Sequence, residues 1–355
     1  MSPISFWYII LAIFVFGILI FIHELGHFLC ARACGVEVKE FSIGMGPKLI
    51  SWESKANKTE PSFKSEPTKY SLRLLPIGGY VSMLGEDEES DSENAFGNKS
   101  VWKRLAITVA GPLMNLLLGF LVMIVMVTSA DQLYSNTIYY PENTDAVSIS
   151  FGLENEDKIV KIVKTGVHTW YDVNYEITYQ GSQPVDVTVI RNGQKIVIEN
   201  VVFPTSESDN MVFGRVDFLP RTERFNLFNV IKHSFFRSTS TVKMIVDSFV
   251  DLLGGKYGLE AMSGPVGITQ TIGDFAAMGW YYFLYIFVVI TINLGVFNLF
   301  PIPALDGGRI LFLLIEAIIG RPLNSKIEGY IHFIGLMLML GLVVLVTFND
   351  ILRLF

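Results

Sequence analysis

The sequence predicts an α-helical polytopic membrane protein with four transmembrane helices, and three observations predict it. Of 355 residues, 51% are hydrophobic and 17% charged, with a mean hydropathy of +0.44, which is too apolar for an ordinary soluble domain of this size. The apolar residues are bunched into runs at 6–22, 105–128, 281–300 and 331–348, each close to the ~20 residues that a spanning helix needs. Chemistry-bearing residues follow the first run, in HELGH at 23–27, and interrupt the end of the third, with Asn293, Asn298, Pro301, Pro303, Asp306 and Gly307-Gly308. Ionisable groups at membrane depth are costly and mark function. The net charge of −7 is modest, and no basic stripe points to nucleic acid.

No Lys or Arg precedes the first run and no small-residue cleavage site follows it, so it reads as a retained helix rather than a signal peptide. Gly35 is expected to end that helix, with short strands and turns over the rest of 31–52 and a solvated loop over 53–68. Residues 69–84 read as a β-hairpin, with arms YSLRLL and YVSML on either side of a Pro76-Ile77-Gly78-Gly79 turn. The acidic stretch 86–94 reads as a solvated loop. In the second run, Pro112 leaves the Thr108 carbonyl without its helical partner, which is tolerated where other helices or a cavity satisfy it.

Residues 131–205 change character to short strands, including an Asn192-Gly193 turn, and form a small β-rich domain. Segment 222–253 is amphipathic, with Phe225, Phe228, Ile231 and Phe235 at helical spacing. It either lies on the membrane surface or packs on the β domain. The division is 1–130 as a first membrane half, 131–220 as the β-rich domain, 221–280 as an amphipathic helical segment and 281–355 as a second membrane half. Loop 32–104 holds eleven Lys and Arg, and 309–330 holds Arg309, Arg321 and Lys326. The positive-inside rule makes both loops cytoplasmic and places 129–280 outside.

His23 and His27, in HELGH, project from one helix face and can share a Zn²⁺ ion, one per chain. Glu24 follows the first histidine and is placed to take a proton from water. The competing reading is a buried histidine pair satisfied by its neighbours. A catalytic zinc needs a third protein ligand. The extended HExxHxxGxxH pattern is absent, since Cys30 and Ala33 stand where it needs Gly and His, and Glu37 and Glu40 lie beyond Gly35. Asp306 is the better candidate, because a metal would partner its buried carboxylate; alternatively it caps a helix that restarts after Pro303. Cys30 and Cys34 read as free thiols in a reducing compartment.

His23 lies seventeen residues past Phe6, about 25 Å along a helix. The site therefore falls inside the bilayer, near its cytoplasmic face. A hydrolytic metal there acts on a substrate that is also there, a transmembrane helix locally unwound and held by strand addition at the edge of 69–84.

The chain resembles the site-2 protease family of intramembrane zinc metalloproteases, most closely its bacterial RseP-like group. The resemblance rests on HELGHFLCARACGVEVKEFSIGMGP, RLLPIGGYVSMLGE, AGPLMNLLLG, SGPVGI and NLFPIPALDGGRIL, in that order over nearly the whole chain. It implies that His23, His27 and Asp306 bind zinc, that Glu24 is the catalytic acid and base, and that Asn293 and Asn298 place the substrate or stabilise the oxyanion. It implies that 69–84 is a membrane-associated β-hairpin receiving the substrate strand, with Gly78, Gly79, Tyr80 and Val81 as contacts. It also implies that 131–205 is a periplasmic PDZ-like α+β domain. The implied setting is a bacterial inner membrane, and the implied partners are single-pass membrane proteins, of anti-sigma-factor type or remnant signal peptides.

The chain departs from the family in having room for one PDZ domain rather than two. Asn155-Glu156-Asp157 replaces a glycine-aspartate turn, and Arg309 stands where many relatives have histidine. One alternative is a membrane-anchored zinc protease with a soluble catalytic domain, which needs a third ligand in 32–104, where no histidine occurs. The other is a non-enzymatic PDZ membrane scaffold, for which Glu24 is dispensable.

Overall fold

A computed structural model describes residues 5–54, 67–86, 88, 90–208, 211–256, 258 and 262–353. In chain order the elements are α1 (Phe6–Ala33), β1 (Val38–Glu53), β2 (Lys69–Met83), α2 (Val101–Thr128), β3 (Leu133–Tyr139), α3 (Val147–Ser150), β4 (Lys158–Ile162), β5 (Thr165–Gly166), α4 (Trp170–Gln180) and β6 (Val185–Arg191). They continue with β7 (Gln194–Val201), β8 (Thr205–Ser208), β9 (Met211–Gly214), β10 (Leu219–Glu223), α5 (Leu227–Leu253), α6 (Pro265–Ala277), α7 (Trp280–Leu299), α8 (Asp306–Ile319) and α9 (Ser325–Leu352). Among the described residues, α1, α2, α7 and α9 are long and apolar enough to cross a membrane. The four apolar runs therefore became four helices. The third ends at Leu299, and the Pro301–Pro303 stretch separates it from α8. The expected loop over 53–68 lies mostly outside the described residues.

The chain divides into two compact units, Met1–Gly119 with Ser248–Phe355, and Phe120–Asp247. In the first unit, small residues bring helices together. A Cβ at Gly26 would lie 2.3 Å from the Ala110 carbonyl oxygen, and one at Gly295 would lie 3.0 Å from that of Pro112. Such close approach is how helices associate where apolar burial gives no advantage over lipid. The SGPVGI stretch serves α6. Pro265 opens the helix, and the buried Asp350 of α9 accepts the Gly267 N–H at 2.8 Å, satisfying a backbone group that a helix start leaves open.

The strands of the first unit correct the expected hairpin. Residues 69–84 do not fold back on themselves; both arms pair with β1 instead. Arm 79–83 runs antiparallel to 38–43, and arm 69–73 runs antiparallel to 48–53. Residues 40–43 also pair with 69–72, there with both numbers rising together. The result is four strand segments side by side, with 79–83 on one edge. The Pro76–Gly79 signal is a bend within β2, where Gly78 takes φ +80°. Arg73 ties the segments together, donating to Glu40 at 3.0 Å, Ser42 Oγ at 2.9 Å, the Gly46 carbonyl at 2.8 Å and Tyr80 Oη at 2.5 Å. Burial pushes the Glu40 carboxyl up, but hydrogen bonds from Ser71, Arg73 and Lys48 outweigh it and hold the pKa at about 2.

The second unit is an α+β body. Its main sheet runs β10-β3-β4-β6-β7, with β5 beside β4. Ile138, Ile159, Val173, Ile177, Val187, Val189 and Phe203 fill its core. The β6–β7 hairpin turns at Asn192 and Gly193, both with positive φ (51° and 79°), as a two-residue turn requires. At 155–157, Glu156 takes φ +68° without a glycine. The fully buried Asp157 accepts both Nε and Nη2 of Arg191 at 2.8 Å, and also the Glu154 N–H.

Of residues 222–253, those from 227 on form a helix, α5, while 222–223 end β10 and Phe225 precedes the helix; the apolar stripe is not the packed face. Phe225, Phe228, Ile231 and Phe235 are exposed, whereas Val230, His233, Ser234, Arg237 and Thr241 are buried. That second face meets α4 and the turn before it. His168 stacks on Phe236, Arg237 lies over Tyr171, and Lys243 pairs with Glu176 at 2.9 Å.

Asp157→Ala should destabilise the second unit by about 1–3 kcal/mol, because it removes a fully buried carboxylate that accepts two guanidinium N–H groups and the Glu154 N–H, while Arg191 keeps Glu154 and the Gly152 carbonyl. Chemical denaturation of the purified protein, followed by protease resistance of this unit, measures it. An unchanged midpoint would remove the Asp157–Arg191 pair from the account.

Candidate metal centre

Three side chains converge where α1 meets the start of α8. His23 Nε2 and His27 Nε2 are 3.2 Å apart, and Asp306 Oδ2 lies 3.0 Å and 3.3 Å from them. Asp306 is the first residue of α8, held there by a turn that Gly307 makes room for. A Cβ at Gly307 would lie 1.8 Å from the Phe300 carbonyl oxygen. Asp306 Oδ2 is buried, close to both imidazoles, yet not aligned for a hydrogen bond with either. Ligands at ~2.0–2.1 Å from a tetrahedral zinc lie about 3.3 Å from one another. Two imidazoles and one carboxylate at this spacing, with an orphaned buried oxygen aimed at the pair, fit a zinc ion and leave a fourth position for water. Among the described residues, these three form the one His, Cys, Asp and Glu cluster with metal-holding geometry.

The imidazoles are oriented from behind. His27 Nδ1–H donates to the Ile107 carbonyl at 2.8 Å, which leaves the Nε2 lone pair free for a metal. Gly111 admits this ring, because a Cβ there would lie 2.2 Å from His27 Nε2. His23 Nδ1 faces the amide of the fully buried Asn115, with Nδ2 at 3.3 Å and Oδ1 without a partner. With a metal on Nε2, Nδ1 carries the proton. Turning the amide about its axis then presents Oδ1 to that N–H and satisfies both groups.

A cavity of about 180 Å³ opens on this cluster, lined by His23, Glu24, His27 and Asp306 together with Gly79, Tyr80, Val81, Met83, Glu86, Thr108 and Arg309. Glu24 thus shares the space with the three convergent groups. Gly79 lies against it, and a Cβ there would be 3.0 Å from Glu24 Cγ. Arm 79–83 has β1 on one side and this cavity on the other. Arg309 pairs with Glu86 at the cavity wall.

Of the residues expected at the site from sequence, His23, Glu24, His27, Asp306, Gly79, Tyr80 and Val81 are brought together. Gly78 forms the bend instead and packs against Met45. Asn293 and Asn298 stand on α7 outside the cavity lining, and the Asn298 amide donates to the Leu294 carbonyl at 2.9 Å. Sequence reading missed Asn115, the Ile107 carbonyl and the Glu86–Arg309 pair. Asn115 carried a signal, a carboxamide inside an apolar span one turn from Gly111-Pro112; the others show none.

The chain matches the model of peptidase family M50 over residues 11–342. A candidate zinc metalloprotease of Clostridium acetobutylicum is 34% identical to it, with 98% of each chain covered. The regulator of sigma-W protease RasP of Bacillus subtilis is 30% identical, covering 98% of this chain and 99% of its own, and the zinc metalloprotease RasP of Geobacillus kaustophilus is 29% identical over 98% of both. Taken with four apolar helices and a zinc-fitting cluster built on HELGH, these matches place the chain in peptidase family M50, the site-2 protease family of zinc metalloendopeptidases.

Proposed function

We propose that this enzyme cleaves peptide bonds inside the transmembrane segments of single-pass membrane proteins, in a bacterial inner membrane, with the site near the cytoplasmic face. The observation that carries the reading is the origin of the convergent groups. His23 and His27 belong to α1, and Asp306 follows α7, and both helices are apolar enough to span a bilayer. Chemistry at that depth meets the peptide bonds of membrane-embedded chains. Substrates of anti-sigma-factor type, or remnant signal peptides, suit such a site, and a relative named as a regulator of sigma-W protease supports the first class. The second unit is read as a PDZ-like domain on the periplasmic side, supported by its antiparallel sheet and by helix α4, whose Val173 and Ile177 lie in the core.

His23, His27 and Asp306 would hold zinc, which when bound polarises the attacking water and the scissile carbonyl. Glu24 takes the proton from that water and returns it to the departing amine nitrogen. A helix hides its peptide bonds, so the substrate enters as an unwound strand. Arm 79–83 offers backbone groups on its cavity side, and an extended peptide can pair with them regardless of its side chains. Gly79, Tyr80 and Val81 are the contacts of that pairing, and Gly79 keeps the strand close to Glu24. Asn293 and Asn298 are assigned to substrate placement or the oxyanion, a role that requires the Asn298 amide to release the Leu294 carbonyl.

Glu24→Gln should keep its zinc and lose at least about 100-fold in cleavage of a reporter membrane helix. Metal content and turnover on the same purified sample decide it; normal turnover would end the hydrolytic role of Glu24. Asp306→Ala should weaken zinc binding by at least about 100-fold, read by competition with a chelator. Wild-type zinc affinity and cleavage in that variant would place the third ligand elsewhere.

Val81→Pro or Met83→Pro should cut cleavage at least about 10-fold with zinc content and membrane insertion intact, because proline removes a ladder donor. Reporter helices carrying glycine or proline near the cut should be preferred, since they unwind at lower cost. Active proline variants, together with equal rates for helices with and without a breaker, would remove strand addition from the mechanism.

A further inference from the structure

The loop that delivers Asp306 is held from α9. Ala304, two residues before Asp306, sits at φ +77°, a left-handed conformation that costs a residue with a Cβ. Its N–H donates to Nδ1 of His332 at 2.9 Å. Because Nδ1 accepts, the neutral ring carries its proton on Nε2, and that atom is buried without a hydrogen-bond partner among the described residues. The Glu328 carboxylate oxygen Oε1 is 3.9 Å away, beyond hydrogen-bond reach. An unmet donor of this kind is unfavourable and asks for an explanation.

The ring has little freedom. Phe312 packs against it at 5.5 Å between centroids, and a Cβ at Gly308 would lie 3.2 Å from His332 Cε1. One turn along α9, a Cβ at Gly335 would lie 2.4 Å from Cβ of Pro303. So α9 touches the loop at two successive residues, Pro303 by close packing and Ala304 by a hydrogen bond. A histidine placed only to fill space would not need its acceptor nitrogen on the N–H of the one left-handed residue in the loop.

We propose that His332 is a positioning residue of the metal centre: by accepting the Ala304 N–H it fixes the turn that carries Asp306 to His23 and His27. This rests on the reading of Asp306 as a metal ligand. It makes α9 part of the metal centre, although α9 supplies no group to the cavity. Groups behind a ligand commonly govern metal retention by about 10–100-fold.

The test uses the full chain, purified in detergent and loaded with zinc, and follows zinc release to a chelator beside the thermal stability of the metal-free protein. His332→Phe keeps a ring but loses the acceptor, and should release zinc at least about 10-fold faster. His332→Asn keeps an acceptor oxygen near the Nδ1 position and should retain zinc close to wild type. In the His332→Phe background, Ala304→Gly should recover part of the retention, because glycine adopts the left-handed conformation without cost. The metal-free stability should differ little among these variants. Wild-type release from His332→Phe would overturn the proposal, and so would a failure of Ala304→Gly to recover any retention, which would leave packing alone as the role of His332. If His332→Phe does not fold, His332→Leu against His332→Asn carries the same comparison. Asp306→Ala separates the two levels: if it loses zinc while His332→Phe does not, only this proposal fails, and if it keeps zinc, the ligand reading fails and takes this proposal with it.

Discussion

Everything in the first unit is arranged around three atoms that would repel or strand one another without a shared partner. Two imidazole nitrogens and a carboxylate oxygen stand 3.0–3.3 Å apart, largely withdrawn from solvent. The carboxylate is brought there from 279 positions beyond His27. A buried carboxylate is expensive unless a cation or donors meet it, and here the geometry meets it with two lone-pair nitrogens. A divalent cation resolves all three at once. The coupling of α1 to the α7–α8 junction is in this sense a demand of charge, and the packing follows from it.

The packing devices are economical in the space they leave. Glycine appears where the backbone of one helix must come within reach of another group, as at Gly26 against Ala110, Gly111 against the His27 ring and Gly307 against the Phe300 carbonyl. Polar atoms buried among the spans point at the same centre. The Ile107 carbonyl and the Asn115 amide stand behind the two imidazoles, and His332 stands behind the loop that bears the carboxylate. On the open side, the edge arm 79–83 and Glu24 share one cavity with the ligands.

The parts legible in sequence were those whose chemistry is local. Histidines four apart on a helix, with a glutamate after the first, state their geometry without further information, and so does an aspartate in an apolar segment broken by two prolines. The four spans were equally plain, since length and hydropathy suffice. What was not legible depended on which segments meet. The strand character of 69–84 and its bend at Gly78 were readable, but strand propensity does not name a partner. The partner proved to be β1, which carries positive-φ glycines of its own at Gly44 and Gly46. The stripe Phe225-Phe228-Ile231-Phe235 announced an amphipathic helix, yet the buried face was the one bearing His233, Ser234, Arg237 and Thr241. Polar groups there found partners such as Glu223 and Tyr171, and periodicity does not register such pairing. The Glu86–Arg309 pair joins residues 223 positions apart and left no local trace.

Zinc-edge X-ray absorption on the purified, zinc-loaded chain reads the ligands of the metal centre most directly. The expected result is a first shell of nitrogen and oxygen only, at about 2.0–2.1 Å, with the multiple-scattering pattern of two imidazoles. That pattern should fall apart in Asp306→Ala. A sulfur shell near ~2.3 Å, which would bring Cys30 or Cys34 to the metal, or an unaltered shell in Asp306→Ala, would contradict it.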